Sequence, residues 1–324
     1  MVDIIDTKFY ESNGVTQINL PDYLEYEFLY SNGINIEQNQ LLAANTSRTI
    51  KVKLKFKDNL DESQLPTTDK TIVIRQSITY IQADENAVRV PNSRFEYDSW
   101  STIVDNVYNN HTEYYNLGDT KEVDMGSFGT HTLRIANTST PSECSNSGFS
   151  QTACGIVFEF ADIIDEQKMN SSETNEGGWE AAELRTYLNN TVYNLIPEII
   201  RNNIIDTYVV SGHGKKSGES NFITTDKLYL LSTKEVWGKE GTSNVCNRDT
   251  AEVETRQLDY YTLKGTSDSK PTYAKKHSEI SDQWWLRTPV PNKSDQYYYI
   301  TFRGEAENTY ASKVYGIAPA FRLS

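Results

Sequence analysis

The residues able to do chemistry are present in this chain, but their spacing gives them few partners. Four histidines, His111, His131, His213 and His277, lie far apart, without the HExxH or short-interval pairs that set two imidazoles on one helix face. They read as structural or exposed. The cysteines are Cys144, Cys154 and Cys246, none in CxxC spacing, so neither a metal site nor a cofactor is expected. SGHGKKSG at 211–218 is glycine-rich, yet the interval from Gly212 does not match a GxxxxGK[ST] phosphate cradle, and a surface loop is expected. GxSxG is missing, so no serine sits on a nucleophile elbow. With 45 carboxylates, chance acidic pairs are common, and Glu180 and Glu183 read as a solvated helix face. No catalysis is expected.

Recognition chemistry is concentrated near the C-terminus instead. After WWLRTP at 284–289 come Tyr297, Tyr298, Tyr299, Phe302, Arg303, Glu305, Glu307, Asn308, Tyr310, Lys313 and Tyr315, and the chain closes on GIAPAFRL. Tyrosine supplies large contact area at low conformational-entropy cost, and small polar residues supply adjustable hydrogen bonds. The segment reads as a binding surface. The plainer alternative makes YYYITF one amphipathic strand, with Tyr298 and Ile300 inward and Tyr297 and Tyr299 outward. Adjacent Trp284 and Trp285 raise a related question, because neighbouring strand residues point to opposite faces. A buried indole covers about 150–250 Å², worth several kcal/mol at about 25 cal/mol/Å². The expectation is that Trp285 lies buried beneath the display surface while Trp284 faces the other side, near a ligand. Alanine at 285 should then cost about 3–5 kcal/mol, and alanine at 284 should spare stability.

Composition narrows the partners. A net charge of -14 with no offsetting basic run argues against nucleic acid, whose binding depends on Lys and Arg displacing counterions. No stretch approaches the roughly 20 apolar residues that span a bilayer. MVDIIDTKFYESNG lacks the basic and apolar regions of a signal peptide, which leaves a cytosolic protein or one beginning just after a removed signal or anchor. Twenty-one Tyr against 11 Phe favours wet aromatic surfaces. Cys144 and Cys154 flank SNSGFSQTA; in an exported chain a bridge there would close a short loop worth roughly 3 kcal/mol. Cys246 is left as a free thiol.

These residues need elements to carry them. IKVKLKF at 50–56 alternates apolar and lysine residues as a half-buried strand should, and YLEYEFLY at 23–30 and TIVIRQSITYIQA at 71–83 are further strands. Residues 1–84 therefore read as a small antiparallel β-sandwich acting as a spacer, and 85–94 as a linker. From 95 to 324 the pattern is α+β. Trp100, Ile103, Val104, Val107 and Tyr108 predict a helix capped by Asp98. GGWEAAELRTYLNN predicts another, and Pro197 a third at its first turn. THTLRIAN, GIVFEFADII, DKLYLLST and the residues after 284 predict strands.

GGWEAAELRTYLNN, DKLYLLSTKEVWG, TRQLDYY, WWLRTP and GIAPAFRL, in this order over about 95–324, resemble domain-of-unknown-function family 6273. That family is common in surface-exposed proteins of gut Gram-positive bacteria. The resemblance implies a C-type-lectin-like fold, shared with formylglycine-generating enzymes and the variable proteins of diversity-generating retroelements. In the latter, diversified Tyr- and Asn-rich ligand-binding residues precede the C-terminus, where 290–315 lies here. It implies ligand-binding roles for Trp284, Tyr297, Tyr299, Arg303, Glu305, Asn308, Tyr310 and Lys313. It makes Trp179, Arg185, Trp285, Leu286, Arg287, Ala320, Phe321 and Leu323 scaffold. Two departures narrow the reading. The EPN or QPD triplet of calcium-dependent lectins is VPN at 90–92 and 290–292, so calcium-mediated sugar binding is not expected. No cysteine follows Cys246, which removes the oxidase chemistry. The expected protein is exported, at the cell surface, and binds a protein or glycan on another cell or phage. Its rivals are a glycan-acting hydrolase and a structural surface-fibre subunit.

Overall fold

In the computed structural model the described residues are 2–31, 33, 35–37, 40–41, 48–80, 88–89, 95, 98–112, 115–238, 248–265 and 273–323. Cys246 and most of the expected linker at 85–94 lie outside them. The chain divides into two units, Met1–Arg94 and Phe95–Ser324.

The N-terminal unit is sheet-rich. Strand β1 (Val2–Tyr10) pairs antiparallel with β2 (Gln17–Ile18) and with β6 (Val73–Tyr80). β3 (Leu24–Tyr30) pairs antiparallel with β5 (Ile50–Phe56), and β4 (Gln40–Leu41) runs parallel to β7 (Val88–Arg89). The lysines of IKVKLKF face acids across the ladder, Lys53 to Glu27 and Lys55 to Glu25, each at 2.9 Å. Its apolar residues do not behave as alternation predicts: Ile50, Val52, Leu54 and Phe56 are all exposed. No second layer covers that face among the described residues, so the strand is correct and its half-burial is not.

The C-terminal unit carries the larger core. Helix α1 (Trp100–Tyr108) is capped by Ser99, whose Oγ accepts from the Thr102 N–H at 3.1 Å. Asp98, the expected cap, is instead drawn inward to accept from the buried Tyr115 hydroxyl at 2.8 Å. A four-stranded sheet runs β20-β10-β9-β8, from β8 (Thr120–Asp124), β9 (Thr130–Asn137), β10 (Val157–Phe160) and β20 (Ala320–Arg322). A five-stranded sheet runs β11-β19-β16-β17-β18. Its strands are β11 (Asp165–Lys168), β16 (Trp284–Pro289), β17 (Gln296–Ile300), β18 (Ala306–Tyr310) and β19 (Val314–Ile317). Between these stretches lie the hairpin of β12 (Thr207–Ser211) with β13 (Phe222–Asp226) and that of β14 (Lys275–His277) with β15 (Ile280–Asp282).

Two expectations changed under tertiary demands. GGWEAAELRTYLNN breaks into α2 (Gly178–Ala181) and α3 (Glu183–Tyr187), with Ala182 extended between them. The amides of Glu183 and Leu184 are claimed by Asn170 Oδ1 at 2.9 Å and Met169 O at 3.1 Å, which leaves none for a continuous helix. A one-turn π-helix (Leu188–Val192), α4 (Tyr193–Leu195) and α5 (Glu198–Arg201) follow, with Pro197 capping α5 instead of opening it. DKLYLLST is buried and extended but is no ladder strand after Asp226. The amides of Lys227 and Leu228 bond Asn189 Oδ1, and beyond them only the Tyr229–Ala320 bridge remains. It then enters α6 (Thr233–Trp237), and α7 (Asp259–Lys264) packs beyond it.

Candidate functional site

WWLRTP forms the middle of the five-stranded sheet, and every residue of it is buried. Trp284 and Trp285 do point to opposite sides, yet both are 0% exposed, because each side is covered. The Trp285 Nε1–H donates to Gln167 O at 2.9 Å, and its ring meets Tyr315 at 5.0 Å. The Trp284 Nε1–H donates to Tyr273 O at 3.1 Å, and the Lys275 ammonium sits 4.7 Å from its ring centre. The ligand-facing position expected for Trp284 is therefore corrected: the arm 273–275 occupies it.

Arg287 is the next anchor. Its guanidinium is fully buried and grips Glu235 with two bonds, Nη1 to Oε2 at 2.5 Å and Nη2 to Oε1 at 2.6 Å. It also donates to Leu230 O at 2.7 Å and Val210 O at 3.2 Å. Burial pushes the Glu235 carboxyl up, but Arg287 and the donors around it outweigh this and hold it below its ordinary value. Those donors are Thr152, Thr255 and the Ser232 amide. Trp179 and Arg185 converge on a second buried acid, Asp226, at 2.9 and 2.7 Å. Leu286 and Phe321 are fully buried. Cys144 and Cys154 form a disulfide.

A third buried acid has a measurable consequence. Glu159 accepts from Arg134 at 2.7 Å, Lys275 at 2.7 Å and the Tyr261 hydroxyl at 2.8 Å. Burial alone would raise its pKa, but the two cations outweigh burial and hold it at about 2. Lys275, sharing one carboxylate with Arg134, is lowered by burial to about 8. A carboxyl depressed in the folded state stabilises it above the unfolded pKa and loses that contribution as pH falls toward the folded value. From 4.5 to about 2 the loss should reach about 3 kcal/mol. All five tryptophans lie in the C-terminal unit, so denaturation followed by indole fluorescence reads it directly. A loss of stability as pH falls below 4.5 is the expected acid limb; an acid limb with no loss contradicts it.

The recognition segment divides into covered and open parts. In β17, Tyr297 is 0% exposed and its hydroxyl donates to Gly178 O at 2.9 Å, so its display role is corrected too. Tyr298 and Ile300, on the opposite face, are also buried, so that face of β17 is covered. Tyr299 is half-buried, its ring tilted 47° against that of Tyr315 at 4.6 Å and edge-on to Trp285 at 6.3 Å. The open part is β18, the outermost strand, with the turns at its ends. Asn308 and Tyr310, two residues apart on one face, are exposed, as is Lys313 in the following turn. Arg303 is exposed and Glu305 half-exposed at the other end, in a turn tied by Thr301 Oγ1 accepting both their amides at 3.2 and 3.1 Å. The two ends are about 17 Å apart along the strand. Phe302, at 48% exposure beside the Arg303 guanidinium, joins the open set, with Glu307 on the strand's other face.

Two clefts of the C-terminal unit bear on the hydrolase alternative. One, about 370 Å³, has Glu183 as the sole acid of its lining, already accepting from Ser171 N and Oγ. The other, about 290 Å³, holds Asp206 and Asp226, but both oxygens of Asp226 are taken by Arg185, Trp179 and Thr224. Neither presents the pair of working carboxyls that glycoside hydrolysis needs. The glycine loop at 211–218 is at the surface only in its second half: Ser211, Gly212 and Gly214 are buried, and a Cβ on Gly214 would stand 2.2 Å from Asn175 Oδ1.

The unit is thus an α+β domain whose ordered motifs build a buried polar scaffold behind an open edge strand. The family described as Domain of unknown function (DUF6273) matches residues 156–324, more than half of the chain, and the chain belongs to it. No curated protein and no solved structure matches the chain.

Proposed function

We propose that this protein is an exported, cell-surface binding protein that recognises a protein or glycan on another cell or phage through the β18 edge and its turns, on a C-type-lectin-like scaffold. The observation that carries the reading is the contrast within one segment. Trp284, Trp285, Arg287 and Tyr297 are sealed inside, whereas Asn308 and Tyr310 on the outermost strand and Arg303 and Lys313 in the turns at its ends stand open. A fixed scaffold beneath adaptable polar and tyrosine contacts is the arrangement binding surfaces use. The Cys144–Cys154 disulfide supports an oxidising compartment.

The test is to apply the labelled chain to immobilised glycans and to bacterial and host cells while assaying the same glycans for new reducing ends. Saturable retention without cleavage is expected. Cleavage, or no retention on any surface, overturns the proposal.

A further inference from the structure

We infer that Glu166, His277 and Asp282 form a binding site for a divalent first-row metal ion, with Zn²⁺ the best match, at the sheet edge opposite β18. One donor atom from each lies within 4.8 Å of the other two. His277 Nδ1 and Glu166 Oε1 are 3.6 Å apart, beyond hydrogen-bonding distance. The sheet order puts β11 at one edge and β18 at the other, about 19 Å away at the usual strand spacing. The site is therefore separate from the recognition edge, and neither proposal depends on the other.

The backbone brings the three residues together. Lys275 and Asp282 are paired across the β14–β15 hairpin, whose turn residues Ser278 and Glu279 adopt φ of 48° and 71°. The first strand is docked by the Ile163 N–H donating to Lys276 O at 2.8 Å, and the buried Lys275 ammonium is fixed on Glu159. The second strand leads into Gln283, whose carbonyl accepts from Gly316 N at 2.9 Å. Gly316 in turn stands opposite Glu166 in the β11–β19 ladder. A Cβ at Gly316 would lie 2.8 Å from Gln283 O and 2.7 Å from Ile163, so glycine alone lets these segments meet. Asp282 Oδ1 accepts from the Gln283 amide at 2.7 Å, which orients that carboxylate.

The donor set selects the ion. Calcium and magnesium take oxygen ligands, whereas an imidazole among carboxylates favours zinc and its first-row neighbours. Three protein ligands leave a fourth tetrahedral position for water or a ligand group. Tetrahedral donors at zinc bond lengths stand about 3.3 Å apart, and the partly exposed side chains of His277 and Glu166 can turn inward to close that gap.

Calorimetric titration of the intact, untagged chain with ZnCl₂, and separately CaCl₂, tests this alongside His277→Ala, Glu166→Gln and Asp282→Asn. One equivalent of Zn²⁺ is expected, bound at least tenfold more weakly by each variant, with melting in EDTA unchanged. Should one variant fail to fold, the other two still report. No Zn²⁺ uptake, uptake unchanged in the folded variants, or preference for Ca²⁺ overturns the assignment.

Discussion

Arg287→Ala should destabilise the C-terminal unit by about 3–5 kcal/mol, the cost of breaking a buried ion pair by removing one member. Glu235 would remain fully buried with its charge uncompensated, and the Leu230 and Val210 carbonyls would lose their donor. The cost arises from what is left behind, so the two positions should couple. In a cycle with Glu235→Gln, the double variant should lose clearly less than the sum of the singles. Urea denaturation read by tryptophan fluorescence measures all three variants. A loss below about 1 kcal/mol for Arg287→Ala would show that solvent reaches the pair.

Trp284→Ala is expected to be as damaging as Trp285→Ala, about 3–5 kcal/mol each. The indole of Trp284 fills a site closed by the 273–275 arm, and removing it opens a cavity and leaves Tyr273 O without its donor. It also strips the aromatic face beside the Lys275 ammonium, which Glu159 only partly balances. Thermal melts of the two variants should shift together. If Trp284→Ala melts like the wild type, that face of β16 is open and the recognition surface extends to it.

Sequence patterns located many elements and misjudged what covers them. Alternation correctly set Trp284 and Trp285 on opposite faces, but period alone cannot say that both faces are packed. On one side the cover comes from residues 273–275, on the other from Gln167 and Tyr315. The same limit applies to IKVKLKF, whose perfect alternation predicts a covered face that is open. The helix expected over 177–190 failed because Met169 and Asn170 capture its amides, a contact between segments that no local propensity encodes. Arg287 was recognisable inside WWLRTP, whereas its partner Glu235 lies 52 residues earlier. Glu166 and His277 are farther apart still, so a search for short metal-ligand spacings passes over them. Of the recognition residues, Arg303, Asn308, Tyr310 and Lys313 are open as composition implied. Tyr297 is not, because the carbonyl of Gly178 holds its hydroxyl inside.

The measurement that bears most directly on the account compares the wild type with a variant carrying Arg303→Ala, Asn308→Ala, Tyr310→Ala and Lys313→Ala, in melting and in binding to the cells or glycans that retain the wild type. All four side chains stand open, so the melting temperatures should agree while binding weakens at least tenfold. Equal binding by the folded variant would contradict the account and place recognition away from the β18 edge.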